Sequence, residues 1–214
     1  MKESLKKVLS DFGLMSMVLG LRGLISRMVS KPKWNAMKKR ERIWLELGSG
    51  SKKGSNGWTT IDISGADISH DLRDGIPLPD GCVDRIYTSH MFEHIPYKEL
   101  VVFVNECYRV LKVGGELSVC VPNAGLYLRS YVAGHRFRVQ GEGYGPALVD
   151  TGSLMDQVNY IAYMGGQHKY MFDEVNLVNT IKKAPFQAVR LRDFDESIDL
   201  LSRDYESVYA SAVK

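Results

Sequence analysis

The stretch from residue 43 to residue 63 constrains this chain more than any other. Residues 43–47 (IWLEL) form a short apolar run that ends in Gly48-Ser49-Gly50, and 58–63 (WTTIDI) is β-branched. Short apolar runs bounded by glycine read as buried strands. Only 48–57 (GSGSKKGSNG) separates the two, close to the lower limit of about 10–12 residues for a parallel crossover. Four of those residues are glycine and two are lysine, so a full helix does not fit. If the two strands are parallel neighbours, a loop or a single turn must join them.

Further elements follow the same rhythm. A weak strand is expected at 68–72 and a stronger one at 83–88 (VDRIYT). Over 97–111, Leu100, Phe103, Val104, Cys107 and Leu111 recur on one helical face. Gly114-Gly115 is expected to stop that helix ahead of a strand at 116–121. A helix over 172–184 has Asp173 as its N-cap and Pro185 as its close, and strands at 186–192 and 208–213 end the chain. Strand–helix alternation of this kind predicts an open α/β sheet.

Charge divides the chain unevenly. Residues 1–42 hold 11 Lys/Arg against 3 Asp/Glu, within a chain whose net charge is only +3. The front is therefore a basic arm and the body, 43–214, is mildly acidic, which makes a nucleic-acid partner unlikely for the body. Apolar residues from Phe12 to Val29 follow steps of three and four, predicting an amphipathic helix that Pro32 ends. A signal peptide fits poorly, given Asp11, Arg22 and no small-residue cleavage site. The helix could dock on its own domain, on a second copy as a homodimer, or on an anionic membrane surface. It is expected to be dispensable for folding. Cys82, Cys107 and Cys120 are too widely spaced for a disulfide framework or a zinc finger, and no run of 18 apolar residues exists. A reducing, cytoplasmic setting is expected, peripheral to the inner membrane face if the arm binds lipid.

Chemistry concentrates at the ends of the expected strands. Glu46 lies on the first, with Gly48 and Gly50 at its carboxyl end, where ligands meet an open parallel sheet. Asp62 ends the second strand, where a carboxylate can accept both hydrogen bonds of a ribose diol. Asp71 and Leu72 end the third, suited to an adenine amino group and ring. The loop lacks the third glycine and the helix of a dinucleotide fingerprint, which disfavours a nicotinamide enzyme.

Together, LELGSG, TIDIS, HDLRDGIPLPDGCVDRIYTSHMFEHI and ECYRVLKVGGELSVCVPN resemble the class I S-adenosylmethionine-dependent methyltransferases. The chain is most similar to small predicted methyltransferases found with cell-surface polysaccharide genes. The resemblance is strong over 43–123 and looser through 168–195 and the last strand. It implies a Rossmann-like sheet of about seven strands, mostly parallel, with a shortened first crossover, an N-terminal helical arm and S-adenosylmethionine as cofactor. It also implies that Gly48 and Gly50 form the cofactor loop and that Glu46 lies near the methionine amino group. Asp62 with Ile63 would serve the ribose side, Asp71 and Leu72 the adenine, and Ser89 and His90 the methionine end. The short 48–57 link departs from most such enzymes, and the small-methyltransferase group shares it.

His90-Met91-Phe92-Glu93-His94 also spells a zinc-protease pattern. It follows a strand rather than sitting on a long helix, and no further ligand pair stands out downstream, so no metal site is expected. His94 can instead be structural or border the transfer cavity.

Residues 123–172 hold six of the 11 tyrosines and eight of the 20 glycines. This insert is expected to be an aperiodic substrate cap, with Arg129, Arg136, Tyr131 and His94 binding the acceptor. Packing alone, or an interface with another copy, would account for it as well. A hydroxyl acceptor needs a base, for which His90 and His168 are the candidates. The function expected is methyl transfer to a small or glycan-type hydroxylated acceptor in surface polysaccharide synthesis. The alternative is a catalytically weak cofactor-binding scaffold.

Overall fold

The computed structural model describes residues 29–139 and 143–214. Its strands are β1 (Trp44–Leu47), β2 (Trp58–Asp62), β3 (Ile68–Ser69), β4 (Val83–Ser89), β5 (Leu111–Pro122), β6 (Arg138–Val139), β7 (Gly143–Tyr144), β8 (Gln187–Leu191) and β9 (Ser207–Val213). Seven of them form one sheet in the order β3-β2-β1-β4-β5-β9-β8, and β6 and β7 form a separate ribbon. The first five of that order are parallel, while β9 runs antiparallel to both β5 and β8. The chain leaves β1 towards β2 and β3, then returns to place β4 on the other side of β1. That reversal opens a crevice at the carboxyl ends of β1 and β4.

The short link behaves as its composition requires. Strands β1 and β2 pair in parallel, Trp44 with Trp58 through Leu47 with Ile61, and no helix lies between them. The loop is instead tied across the end of β2. Gly54 N–H donates to Asp67 Oδ2 (2.9 Å), Lys53 Nζ to the Ala66 carbonyl (2.7 Å) and Thr60 Oγ1 to the Lys52 carbonyl (2.9 Å). A Cβ on Gly54 would stand 2.1 Å from the Trp58 carbonyl oxygen, so this close approach requires glycine.

Helix α1 covers described residues 29–37. The others are α2 (Tyr97–Val110), α3 (Ala124–Val132), α4 (Met155–Tyr163), α5 (Glu174–Ile181) and α6 (Leu201–Asp204). Leu100, Phe103, Val104 and Cys107 of α2 are buried in the main core with Leu45, Leu47 and Ile86 of the sheet. None of the described helices is long and apolar enough to cross a membrane.

Several expectations need correction. Leu111 is the first residue of β5 rather than the last of α2, and Gly114-Gly115 does not stop the helix. The pairing of β4 with β5 jumps from Val83–Leu111 to Arg85–Glu116. Residues 112–115 therefore bulge out of the strand, with Gly114 at φ +78°. The third strand is only two residues long, because Asp71 caps a 3-10 turn at Leu72–Asp74 instead of extending it. Helix α5 has the expected Asp173 cap, reinforced by Asn176 in a reciprocal capping box, but ends at Ile181, ahead of Pro185.

The expected 12–29 helix lies outside the described residues, apart from Val29. Pro32 falls inside α1 rather than at its end. Trp34 and Met37, 2% and 1% exposed, belong to the main core. Their burial, about 1.5–3 kcal/mol each, ties α1 to the sheet. The described end of the basic arm is thus part of the domain's own packing.

The insert is not aperiodic. It contains α3 and α4 and a small core of Ala124, Tyr127, Phe137 and Ile161. Tyr127 OH donates to Glu206 Oε2. The Gln157 amide bonds the backbone of Phe137 on both sides and the Gly145 carbonyl. Two nine-residue helices, with two tyrosines each, present too short an apolar stripe for periodicity to reveal.

Candidate functional site

The strand ends surround a cavity of about 1440 Å³. Glu46, Gly48, Gly50, Asp62, Ile63, Asp71, Leu72, Ser89 and His90 all line it, and so does His94. Residues that the sequence scatters over some fifty positions meet because parallel strands deliver their carboxyl ends to one edge.

On the β1 side, Gly48 has φ +72°, and a Cβ there would lie 2.3 Å from Met91 Cγ. Gly50 N–H donates to Asp62 Oδ2 (2.9 Å) and Ile63 N–H to Asp62 Oδ1 (2.7 Å). These bonds hold the carboxylate at the mouth of the cavity. Glu46 pairs with Lys52 Nζ at 2.9 Å, so the loop lysine faces the acid of β1. Asp71 accepts from Arg73 Nε and Nη2, and that hydrogen bonding holds its carboxyl below the usual range despite partial burial.

On the β4 side the backbone is strained and the side chains are largely buried. His90 adopts φ +50°, uncommon outside glycine. Its N–H donates to the Cys120 carbonyl (2.9 Å), and its Nε2 lies 3.0 Å from Ser207 Oγ. Burial first, and then the nearby Arg203 charge, push its pKa down to about 3. Such an imidazole stays neutral and accepts protons weakly, which counts against His90 as the base. Ser89 Oγ is buried with no hydrogen-bond partner among the described residues.

Beside it, the Phe92–His94 turn carries Glu93 inward. Both Glu93 carboxylate oxygens are buried and lack a hydrogen-bond partner among the described residues. Burial pushes this carboxyl up to about 8. His168 lies behind His94, ring centroids 5.1 Å apart, and does not line the cavity. Burial lowers the pKa of both imidazoles.

The insert residues expected to hold the acceptor lie elsewhere. Arg136 makes a two-point pair with Asp150. Arg129 approaches Glu174 Oε1 at 3.6 Å and borders a separate shallow hollow with Leu128 and Val132. Tyr131 is 40% exposed and lines neither. The insert folds around its own small core, which turns these side chains away from the strand ends. The basic residues lining the cavity are Lys52, Arg73, Lys169 and Arg203. Sequence reasoning missed Glu93, Lys169 and Arg203 as site residues. The histidine pattern around Glu93 was a usable signal, whereas nothing local marks Lys169 or Arg203.

The sheet order, the antiparallel β9 and the cavity at the strand reversal define a Rossmann-like cofactor-binding fold. Within it, residues 45–119 match the family described as a methyltransferase domain. A protein of Mycolicibacterium smegmatis (strain ATCC 700084 / mc(2)155), named as a probable S-adenosylmethionine-dependent methyltransferase, is 40% identical over 57 residues. That stretch covers 27% of this chain and only 21% of the relative's length. Among solved structures, the phosphoethanolamine N-methyltransferase 2 of Haemonchus contortus, bound to phosphomonomethylethanolamine and S-adenosylhomocysteine, superposes with a TM-score of 0.50 at 12% identity. The match covers 88% of this chain and 52% of that one. A SAM dependent methyltransferase from Archaeoglobus fulgidus gives 0.49 at 15% identity, covering 90% and 94%. At these identities the likeness is one of fold.

Proposed function

We propose that the protein is an S-adenosylmethionine-dependent methyltransferase acting on a hydroxylated, glycan-type acceptor that bears a negative group. One observation carries this reading: Glu46 with Gly48 and Gly50, Asp62 with Ile63, and Asp71 with Leu72 succeed one another along a single cavity wall. Glu46 then meets the methionine amino group, Asp62 with Ile63 the ribose side, and Asp71 and Leu72 the adenine. The cavity of about 1440 Å³ exceeds the roughly 300–1,000 Å³ typical of one ligand, leaving room for donor and acceptor together. Lys169 and Arg203 at the far end favour an anionic acceptor. In the reaction the acceptor oxygen bonds to the methyl carbon, the carbon–sulfur bond breaks, and the hydroxyl proton departs. The protein's share is to align the two and exclude water.

Surface polysaccharide synthesis is the process we assign, with the basic front of the chain resting on an anionic inner membrane face from the cytoplasm. A homodimer is compatible with the same front docking on a second copy.

Calorimetry with S-adenosylhomocysteine tests the site. Asp62→Ala is expected to weaken binding by about 1–3 kcal/mol, roughly 5–150-fold. Equal affinity in both proteins would overturn the assignment, and no binding to either would refute both the enzyme and the cofactor-binding scaffold. Labelled cofactor offered with separate pools of glycan, RNA and protein tests the acceptor. Label is expected in glycan, and label confined to RNA or protein would refute that choice.

A further inference from the structure

We propose that Glu93, His94 and His168 form a binding site for one divalent first-row transition-metal ion at the acceptor end of the cavity. One carboxylate oxygen and two imidazole nitrogens lie within 4.8 Å of one another. Atoms sharing an ion at about 2.0–2.2 Å stand roughly 3–3.5 Å apart, so the widest pair needs to close by up to about 1.3–1.8 Å.

The hydrogen bonds fix which atoms are offered. His94 Nδ1 lies 3.2 Å from the Gln167 carbonyl, and His168 Nδ1 lies 2.8 Å from the Ile161 carbonyl. A carbonyl only accepts, so in each neutral ring Nδ1 carries the proton and Nε2 presents its lone pair. Metal-binding histidines are oriented in this way by a backbone carbonyl behind the ring. His94 Nε2 already stands 3.8 Å from Glu93 Oε1. The independent observation is Glu93 itself, 2% exposed, with neither carboxylate oxygen hydrogen-bonded among the described residues. A buried carboxylate with no donor is costly, and a coordinated cation removes that cost.

The backbone holds the three together across some seventy residues. Lys169 N–H donates to the Glu93 carbonyl at 2.7 Å, next to His168. His94 borders the cavity, whereas Glu93 and His168 are buried behind it, so His94 is the ligand through which the site meets the cavity. Two neutral imidazoles and one carboxylate suit Zn²⁺, Mn²⁺ or Fe²⁺ better than a hard cation that demands only oxygen.

The site stands on this geometry alone; the role assigned to it rests on the methyltransferase reading. There, an ion held by Glu93, His94 and His168 would supply a Lewis acid that lowers the pKa of an acceptor hydroxyl. The hydroxyl proton passes to water at the cavity mouth. The oxygen then attacks the methyl carbon, and the carbon–sulfur electron pair returns to sulfur. The ion changes no oxidation state, and the weakly basic His90 is not needed as proton acceptor.

The test uses the full chain, stripped with EDTA and titrated with Zn²⁺ alone and with Mn²⁺ alone. One equivalent of at least one ion is expected to bind saturably. Glu93→Gln and His94→Ala should each weaken binding by at least the roughly 10–100-fold seen for changes that only support metal ligands. His135→Ala, on the insert surface, should leave it unchanged. No saturable binding of either ion, or unchanged binding in both site variants, would overturn the proposal. If Glu93→Gln does not fold, His94→Ala decides, since its side chain is 36% exposed. Affinity for S-adenosylhomocysteine, measured on the same samples, tests the methyltransferase reading separately.

Discussion

Gly48 meets two demands at one position, a left-handed backbone at φ +72° and a Cβ-free surface against Met91. Gly48→Ala is expected to cost about 1–2 kcal/mol from the backbone alone. That lowers the melting temperature by about 2–8 °C in a chain of this size. Adding Met91→Gly removes both Met91 Cγ (2.3 Å) and Met91 Cβ (2.7 Å) from the contact but leaves the backbone cost, so thermal melts of Met91→Gly with and without Gly48→Ala separate the two causes. Asp67 shows how a loop without a helix is secured. Burial acts to raise its pKa, yet the N–H groups of Thr60 and Gly54 that its carboxylate accepts hold it below 3.8. The folded state thus binds this proton less tightly than the unfolded one. Its contribution is fully present above pH 3.8 and lost as pH falls through the folded value. Asp67→Asn is therefore expected to lose less stability than wild type between roughly pH 5 and pH 3, read by chemical denaturation at each pH.

Among the elements, α1 decides how much of the basic front the fold can spare. Trp34 sits 2% exposed, its ring edge-on to His70 at 5.4 Å, so truncating its side chain should cost about 3–5 kcal/mol. A chain starting at residue 39 loses Met37 as well. It is expected to unfold at a markedly lower urea midpoint, whereas a chain starting at residue 29 keeps the core contacts. Equal midpoints would show that α1 is a passenger. At the opposite edge, Asp199 is buried between Arg192 and Tyr87, bonded to both guanidinium nitrogens and the phenol. This network fixes the segment between β8 and β9, beside Leu200 and Arg203 of the cavity wall.

For the whole molecule, cofactor binding and folding are linked. A ligand at 100 times its Kd that binds only the folded chain adds about 2.7 kcal/mol, raising the melting temperature by about 5–10 °C. S-adenosylhomocysteine is expected to produce this shift in wild type and a smaller one in Asp62→Ala at the same concentration. The charge divide between 1–42 and the body predicts a second global property. Full-length protein should bind anionic vesicles at low salt and release them as ionic strength rises. Protein that ignores such vesicles even at low salt leaves the front with a docking role only.

The sequence by itself determined the first half of the sheet and the cavity wall formed by its strand ends. The alternation of short apolar runs with glycine and acid is local, and a parallel strand carries its terminal residue to a known edge. Glu46, Gly48, Gly50, Asp62, Asp71 and Leu72 could therefore be placed without tertiary information. The absence of a helix at 48–57 followed from its length and glycine content. Tertiary structure alone decided the other wall. Arg136 points to Asp150, and not to the cavity, because Tyr127 and Phe137 pack a second core that turns the insert aside. His168 meets Glu93 and His94 only because the chain returns to the β4 end, where Lys169 bonds the Glu93 carbonyl. Contacts made by such returns depend on which buried groups find partners, and no local pattern in the chain encodes that.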